Sequence, residues 1–351
     1  MNRLLMILGL IPVIHANAAE PRLPIPQRFG DSHVRHLNGQ GDAIGLWEVF
    51  DTQKRLAAEI PFLTSGDEFF VLPQFPPYAA FEPQAISDHG IIVGHVRSPT
   101  VVRLPVFRPV TYDVQTRFIR PLPQLPETST GIACDISTDG HTISGQCAGT
   151  PCVWRKMESR WQVQTLAFQF KDKVGQTDRV MLSPNGRLAV ASLTLGRNDL
   201  RVVVWTHADG QWTSEVRSRE RCSVFEINDD QTIVGSVPIV RNGQAVTEAV
   251  LIERNGTVRK LGCLDDDLSS TAQGINNAGV IVGWSDTPGR KDQGPRGFTW
   301  HDGTMKPLSL TAESHQALAI NERGDIGGML VIEGLNHAAA FVLPALSREE
   351  N

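Results

Sequence analysis

The chain has 351 residues, of which 20% are charged, with 38 acids against 33 bases and a net charge of −5. A net acidic chain without a Lys-rich block excludes a nucleic-acid binder. Its length would ordinarily predict two or more domains, unless a repeat takes all of it as one closed array.

In chain order, the first element is a targeting segment. Asn2 and Arg3 precede an apolar run from Leu4 to Ile14, too short to span a bilayer, and Ala16-Asn17-Ala18 fits a small-x-small cleavage site. Residues 1–18 therefore read as a signal peptide. No Cys follows the cut, which speaks against a lipid anchor, and no later apolar run reaches membrane-spanning length. The expected product is a soluble monomer, periplasmic or secreted.

A ten-residue phrase then recurs. It reads "AISDHGIIVG" at residues 85–94, "GINNAGVIVG" at 274–283 and "AINERGDIGG" at 319–328. Aligned on its Asn or Ser, the phrase occurs at Asn38, Ser87, Ser137, Ser183, Asn228, Asn276 and Asn321. An aliphatic residue always precedes this position, and a Gly follows three later except at Gln231. A second Gly follows at Gly45, Gly94, Gly235, Gly283 and Gly328, slips to Gly145 in the third copy, and is lost in the fourth. This is hairpin grammar: Asn or Ser opens the turn by bonding its own backbone, and Gly supplies positive φ. The flanking β-branched residues are strand material.

The remainder of each period holds two further strands, as in "GFTWHDGTMKPL" at 297–308 and "VVVWTHADGQW" at 202–212. Four short strands in each period of 45–50 residues form a propeller blade, and no window keeps a helical period for three turns. The predicted fold class is all-β, a seven-bladed β-propeller of four-stranded blades. It occupies residues 19–346 as a single domain, with a tail at 347–351. The seventh blade lacks its fourth strand before the chain ends. Leu23 lies as far before Asn38 as Leu122 lies before Ser137 and Leu261 before Asn276, so an N-terminal strand near Pro21 to Pro26 is predicted to close the ring.

These residues resemble the HAF-repeat proteins, predicted extracellular proteins named for a His-Ala-Phe element. The element is loosely matched by His337 to Phe341, and the Asn-x-x-Gly-x-x-x-Gly-x-Ser core by Asn276, Gly279, Gly283 and Ser285. The resemblance is strongest over about residues 225–345. It implies an extracellular location and a repeat architecture, and it carries no activity or catalytic residues.

No motif states a reaction. There is no G-x-S-x-G, and Gly39, Gly41 and Gly45 fall on the hairpin phrase without the Lys of a phosphate loop. His89 and His141 read as solvated turn residues, and His33 and His36 lie at a predicted ring mouth. Asp265-Asp266-Asp267 lacks the Gly bend of a calcium loop. Trp154, Trp205 and Trp300 share a third-strand position with Phe107, Ile252 and Phe341, and read as packing between blades. No cofactor, metal site or catalytic residue is predicted. With export allowing oxidation, a disulfide is expected between Cys147 and Cys152 across a four-residue connection, and Cys222 with Cys263 is the weaker pairing. No CxxC or HxxxH pair suggests zinc.

Loops opposite the conserved turns share no wording, and five of them carry an Arg: Arg55, Arg97, Arg197, Arg241 and Arg290. The expected function is therefore an exported interaction protein that binds a protein or glycan on this variable-loop face. The binding residues proposed from sequence are Trp284, Arg290, Lys291, Arg97 and Arg241, since an aromatic beside Arg is favoured at hot spots. The alternative is a secreted hydrolase or lyase acting on polysaccharide at the propeller mouth.

Overall fold

A computed structural model describes residues 21–23, 30–51, 53, 55–76, 80–97, 106–170, 173–196, 199–289, 294–332 and 337–345. The repeat folds as expected, into antiparallel sheets that follow one another around a ring. Blade 1 comprises Asp31–Leu37, Ala43–Phe50, Leu56–Ser65 and Glu68–Val71. Blade 2 comprises Ala80–Ile86, Ile91–Arg97, Phe107–Asp113 and Phe118–Pro121. Blade 3 comprises Gly131–Ile136, Thr142–Cys147, Thr150–Met157 and Arg160–Thr165. Blade 4 starts with the short Met181–Leu182 and continues with Leu188–Thr194, Leu200–Ala208 and Gln211–Ser218. Blade 5 comprises Ser223–Ile227, Ile233–Arg241, Gln244–Ile252 and Val258–Gly262. Blade 6 comprises Ser269–Ile275, Ile281–Asp286, Arg296–His301 and Thr304–Pro307. Blade 7 has Ser314–Ile320, Ile326–Val331 and Ala338–Leu343.

The fourth position of blade 7 is taken by the N-terminal segment. Arg22 N–H donates to Val342 O at 2.8 Å, and Val342 N–H donates back to Arg22 O at 3.0 Å. Leu23 packs on the blade 7 core beside Phe341 and Leu330. Within the described residues the closure is one bridge, Arg22 to Val342, and residues 24–26 of the expected strand lie outside them.

The repeat Asn does more than open its own turn. Asn38 Oδ1 accepts the Gln40 and Asp42 N–H groups, while its Nδ2 donates to Ser87 O of the next blade at 3.1 Å. Asn228 donates likewise to Asn276 O, Asn276 to Asn321 O, and Asn321 to Asn38 O at 2.9 Å. Ser has no second donor to spare, so at the Ser turns a backbone N–H one or two residues on takes over. Asp88 N–H donates to Thr138 O, Thr138 N–H to Pro184 O, and Asn185 N–H to Asp229 Oδ1. Every turn thus donates to the next, and the last donates to the first. This face of the ring carries a closed belt.

The second Gly has a different cause. In blades 1, 2, 3, 5, 6 and 7 the inner strand carries a one-residue bulge against the second strand. The bulge presses the inner backbone onto the second strand at the Gly. A Cβ at Gly45 would stand 2.1 Å from His33 O, and at Gly283 2.0 Å from Thr271 O. No larger residue fits there. The slipped Gly145 is the same position, displaced because the Ser137 turn is one residue longer than the Asn38 turn. Blade 4 lacks this Gly, and its inner strand pairs through Met181 and Leu182 without a bulge.

The core lies between blades. Trp154, Trp205 and Trp300 are buried on third strands, as expected, and the indole N–H of Trp154 and Trp205 donates to Pro123 O and Ala167 O. Their register equivalent in blade 2 is Tyr112, paired with Ile92, not Phe107. Phe107 instead begins its strand with its ring edge-on to His95, 5.0 Å between centroids. Burying an aromatic side chain of this kind contributes roughly 1.5–3 kcal/mol.

Candidate functional site

The bulges decide what faces the axis of the ring. Each bulged residue stands opposite no partner and turns its side chain inward. These residues are Arg35, Gln84, Cys134, Phe225, Gln273 and Leu318, each three positions before the turn Asn or Ser. All of them line one central cavity of about 350 Å3. Blade 4, without a bulge, contributes Met181 and, from the segment before it, Arg179.

The cavity is one half of a channel. Near the turn face a narrower cavity of about 60 Å3 continues it, and the two share His36, Glu226 and Ile320. The halves differ in charge. The loop-side half holds Arg35, Arg179, His33 and Glu82, and the turn-side half holds Asp88, Asp135 and Glu322 with no Lys or Arg.

Burial in the narrow channel sets the protonation of these groups. His33 is pushed down to about 4, chiefly by burial and then by the Arg35 charge. Burial alone lowers His36 to about 4, and its Nδ1 accepts the Ile86 N–H at 3.3 Å, so the imidazole is neutral. Asp135 accepts the N–H groups of Ile136 and Leu182, both at 2.8 Å, yet burial outweighs them and raises its carboxyl. Glu226 is raised well above the carboxylate range, first by burial and then by the Asp135 charge. Glu82 is lowered, first by a hydrogen bond from His95, whose Nε2 lies 3.6 Å away. Arg35 lies 3.9 Å from Glu82 and donates to Pro83 O at 3.3 Å.

His33 and His36 therefore do lie at the axis. The sequence-proposed binding residues are placed elsewhere. Arg97, Arg241 and Trp284 stand on the second strands of blades 2, 5 and 6, and none of them lines the channel. Arg97 approaches Glu59 at 4.0 Å. Arg241 spends its fork inside the protein, on Glu248, Leu268 O and Cys263 Sγ. Trp284 is half-buried opposite Thr271 and Gly297. Arg290 and Lys291 lie outside the described residues, as does Arg197.

Asp267 is buried against Arg296 at 2.9 Å, while Asp265 reaches the same guanidinium at 3.3 Å and, like Asp266, stays exposed. Among the described residues no group of His, Cys, Asp or Glu is arranged to hold a metal ion. Cys147 and Cys152 are both free thiols, buried, with Sγ atoms 3.7 Å apart. The expected four-residue connection between them is a two-residue turn, Ala148-Gly149, with φ of 48° and 84°. In register Cys147 faces Thr150 and Cys152 faces Gly145, so the pair is diagonal. Cys222 and Cys263 are also free.

Apart from His33 and His36, the channel residues carry no sequence signal of their own, because they share no chemistry. Their signal was positional: the third residue before each turn Asn or Ser, in every copy that keeps the second Gly.

No protein-family model matches the chain, and no curated protein matches it by sequence. Solved structures match it throughout. An ancestral GH74 enzyme superposes with a TM-score of 0.58 at 10% identity, over 91% of this chain and 48% of that one. The β-propeller domain of the Trilobed protease from Pyrococcus furiosus gives 0.55 at 10% identity, over 90% and 94%. A prolyl endopeptidase gives 0.55 at 11% identity, over 87% and 47%. This chain thus spans about half the length of the GH74 enzyme and the prolyl endopeptidase. At such identity the likeness is one of fold. No helix among the described residues is long and apolar enough to cross a membrane.

Proposed function

We propose that the chain is an exported binding propeller of the HAF-repeat type, which takes a protein or glycan partner on its loop face, around the basic mouth of the central channel. The observation that carries this reading is the asymmetry of the two ends. The turn end is rimmed by a closed belt of hydrogen bonds between turns and leads into the acidic half of the channel. The loop end differs in every blade and leads to Arg35 and Arg179. Variable side chains on a rigid frame are the usual seat of recognition. Trp284 and Arg97 belong to the same face and would extend the contact outward, with Arg290 and Lys291 as further candidates.

Capture from periplasmic or culture extract tests the reading. Trp284→Ala and Arg97→Ala should weaken capture of the retained partner, while His89→Ala and Asp139→Ala on the turn face should leave it intact. The reverse pattern would overturn the assignment of faces.

A hydrolase reading has one observation in its favour: Asp135 and Glu226, two carboxyl groups raised by burial, and His36 all line the turn-side half of the channel. Perturbed acids in a cleft are a mark of general acid–base sites. Release of reducing ends from a polysaccharide, lost in Asp135→Asn, would establish that reading in place of the first.

A further inference from the structure

We infer that the loop-side half of the channel is a binding site for a small hydroxylated monocarboxylate, the chemistry of a sugar acid, with its carboxylate held between the guanidinium groups of Arg35 and Arg179. The inference deepens the binding reading, on which it rests, by naming the chemistry recognised at the channel mouth.

The two arginines come from different blades. Arg35 is the bulged residue of blade 1, and Arg179 precedes the short inner strand of blade 4. Both line the same cavity. Their charges act on each other, since Arg179 is among the groups that lower Arg35. Arg179 also acts on Asp135 and Glu226, so its charge reaches into the axis rather than only outward. Like charges confined in one cavity are relieved by an anion between them, and a guanidinium fork matches a carboxylate in plane and spacing.

Arg179 is free to do so. Its backbone is held by the Thr177 hydroxyl, which accepts its N–H at 3.2 Å and donates to its C=O at 2.8 Å. Its guanidinium has no hydrogen-bond or ion-pair partner among the described residues, and it stands exposed at the lip of the channel. Arg35 uses Nη1 on Pro83 O and Nε on His33 Nε2, which leaves Nη2 for a ligand.

The charge balance selects a monoanion. Glu82 is the one acid lining this half that is held in its charged form, and it already faces His95 and Arg35. Glu226 is kept toward its neutral form by burial. One positive charge is thus in excess, which suits a carboxylate better than a dianionic phosphate. The rest of the polar lining is neutral: the amides of Gln84 and Gln273 and the imidazoles of His33 and His36. Amides and neutral imidazoles both donate and accept, as hydroxyl groups require. A volume of about 350 Å3 is at the small end of ligand pockets, which run from about 300 to 1,000 Å3, and fits a single sugar-sized unit.

Titration calorimetry of the full chain decides the point, with glucuronate, glucose, acetate and sulfate as probes. Glucuronate should bind, and glucose and acetate should bind at least about tenfold more weakly, since each lacks one half of the recognition. Arg179→Ala, a substitution of an exposed side chain, should reduce glucuronate affinity about tenfold or more, and Arg179→Lys should recover only part of it. An unchanged melting temperature in both variants excludes a folding effect. Absence of glucuronate binding, equal binding of glucose, tighter binding of acetate or sulfate, or unchanged affinity in Arg179→Ala would each overturn the inference. If these fail while Trp284→Ala still weakens partner capture, the channel site falls and the binding reading stands. If neither probe nor partner responds to loop-side changes, both fall.

Discussion

The two faces of this ring are joined by different rules. On the turn face every junction between blades uses the same device, a donor from one turn to an acceptor in the next, and Asn38, Asn228, Asn276 and Asn321 each serve two turns at once. On the loop side the junctions vary. The N–H groups of Ala340, Ala249 and Gly297 each donate to a side chain six residues before the turn Asn of the next blade, but that side chain is Ser32, Ser270 or His315, and between blades 4 and 5 Val224 N–H donates instead to Ser192 Oγ. A scaffold can be repeated because its task is the same seven times. A recognition surface cannot, because its partner is not seven-fold.

The sharpest way to break the comparison is at ring closure, where both faces meet blade 7. Removal of the chain through Leu23 eliminates two backbone hydrogen bonds and the packing of Leu23, and opens the outer edge of blade 7. It should cost about 4 kcal/mol in chemical denaturation. Asn321→Ala cuts the belt instead. It removes the belt donor from Asn38 O, which keeps only the Gly41 N–H, and orphans the Arg323 and Asp325 N–H groups, at about 3 kcal/mol. Asn276→Ser should cost only about 1 kcal/mol, since Ser keeps the turn acceptor and loses only the donor to Asn321 O. If Asn321→Ala is no worse than Asn276→Ser, the belt does not close the ring.

A second comparison concerns acid. The loop-side junction at His315 depends on a neutral imidazole, because Nδ1 must accept the Gly297 N–H at 2.9 Å. His315 is 7% exposed. Burial, and then the Arg296 charge, holds it down to about 4, against an ordinary value of 6.5. Between these values the unfolded chain takes up a proton that the folded chain refuses. This contribution is therefore complete above pH 6.5 and is lost as pH falls to about 4, an upper bound of about 3 kcal/mol. His315→Gln, whose amide oxygen can accept the same N–H, should flatten the denaturation profile over that window. A profile as steep as the parent's would show that other groups carry the acid sensitivity.

Much of the frame was legible in the sequence, because hairpin turns constrain residue type locally. Asn276 and Gly279 mark a turn whatever lies around them. The number of blades, their strand content and the N-terminal contribution to blade 7 followed from that spacing. Gly283 was visible too, but its cause was not, since the close approach of Thr271 O appears only when the bulge is built. Beyond His33 and His36, the channel was illegible for the same reason. Arg35, Gln84, Cys134, Phe225, Gln273 and Leu318 have nothing in common except that a bulge turns each of them inward. Arg241 borders a variable loop but spends its charge on Glu248, whereas Arg179 precedes an inner strand, where nothing in the sequence marks it.

The most direct test of the division between scaffold and recognition is site-specific photo-crosslinking in whole extract. A photoreactive residue is placed in turn at Arg179 and Trp284 on the loop side, and at His89 and His141 on the turn face. Adducts of one discrete mass from Arg179 and Trp284, and none from His89 or His141, are the expected result. Adducts from the turn positions alone would contradict it, and would place recognition on the belt itself.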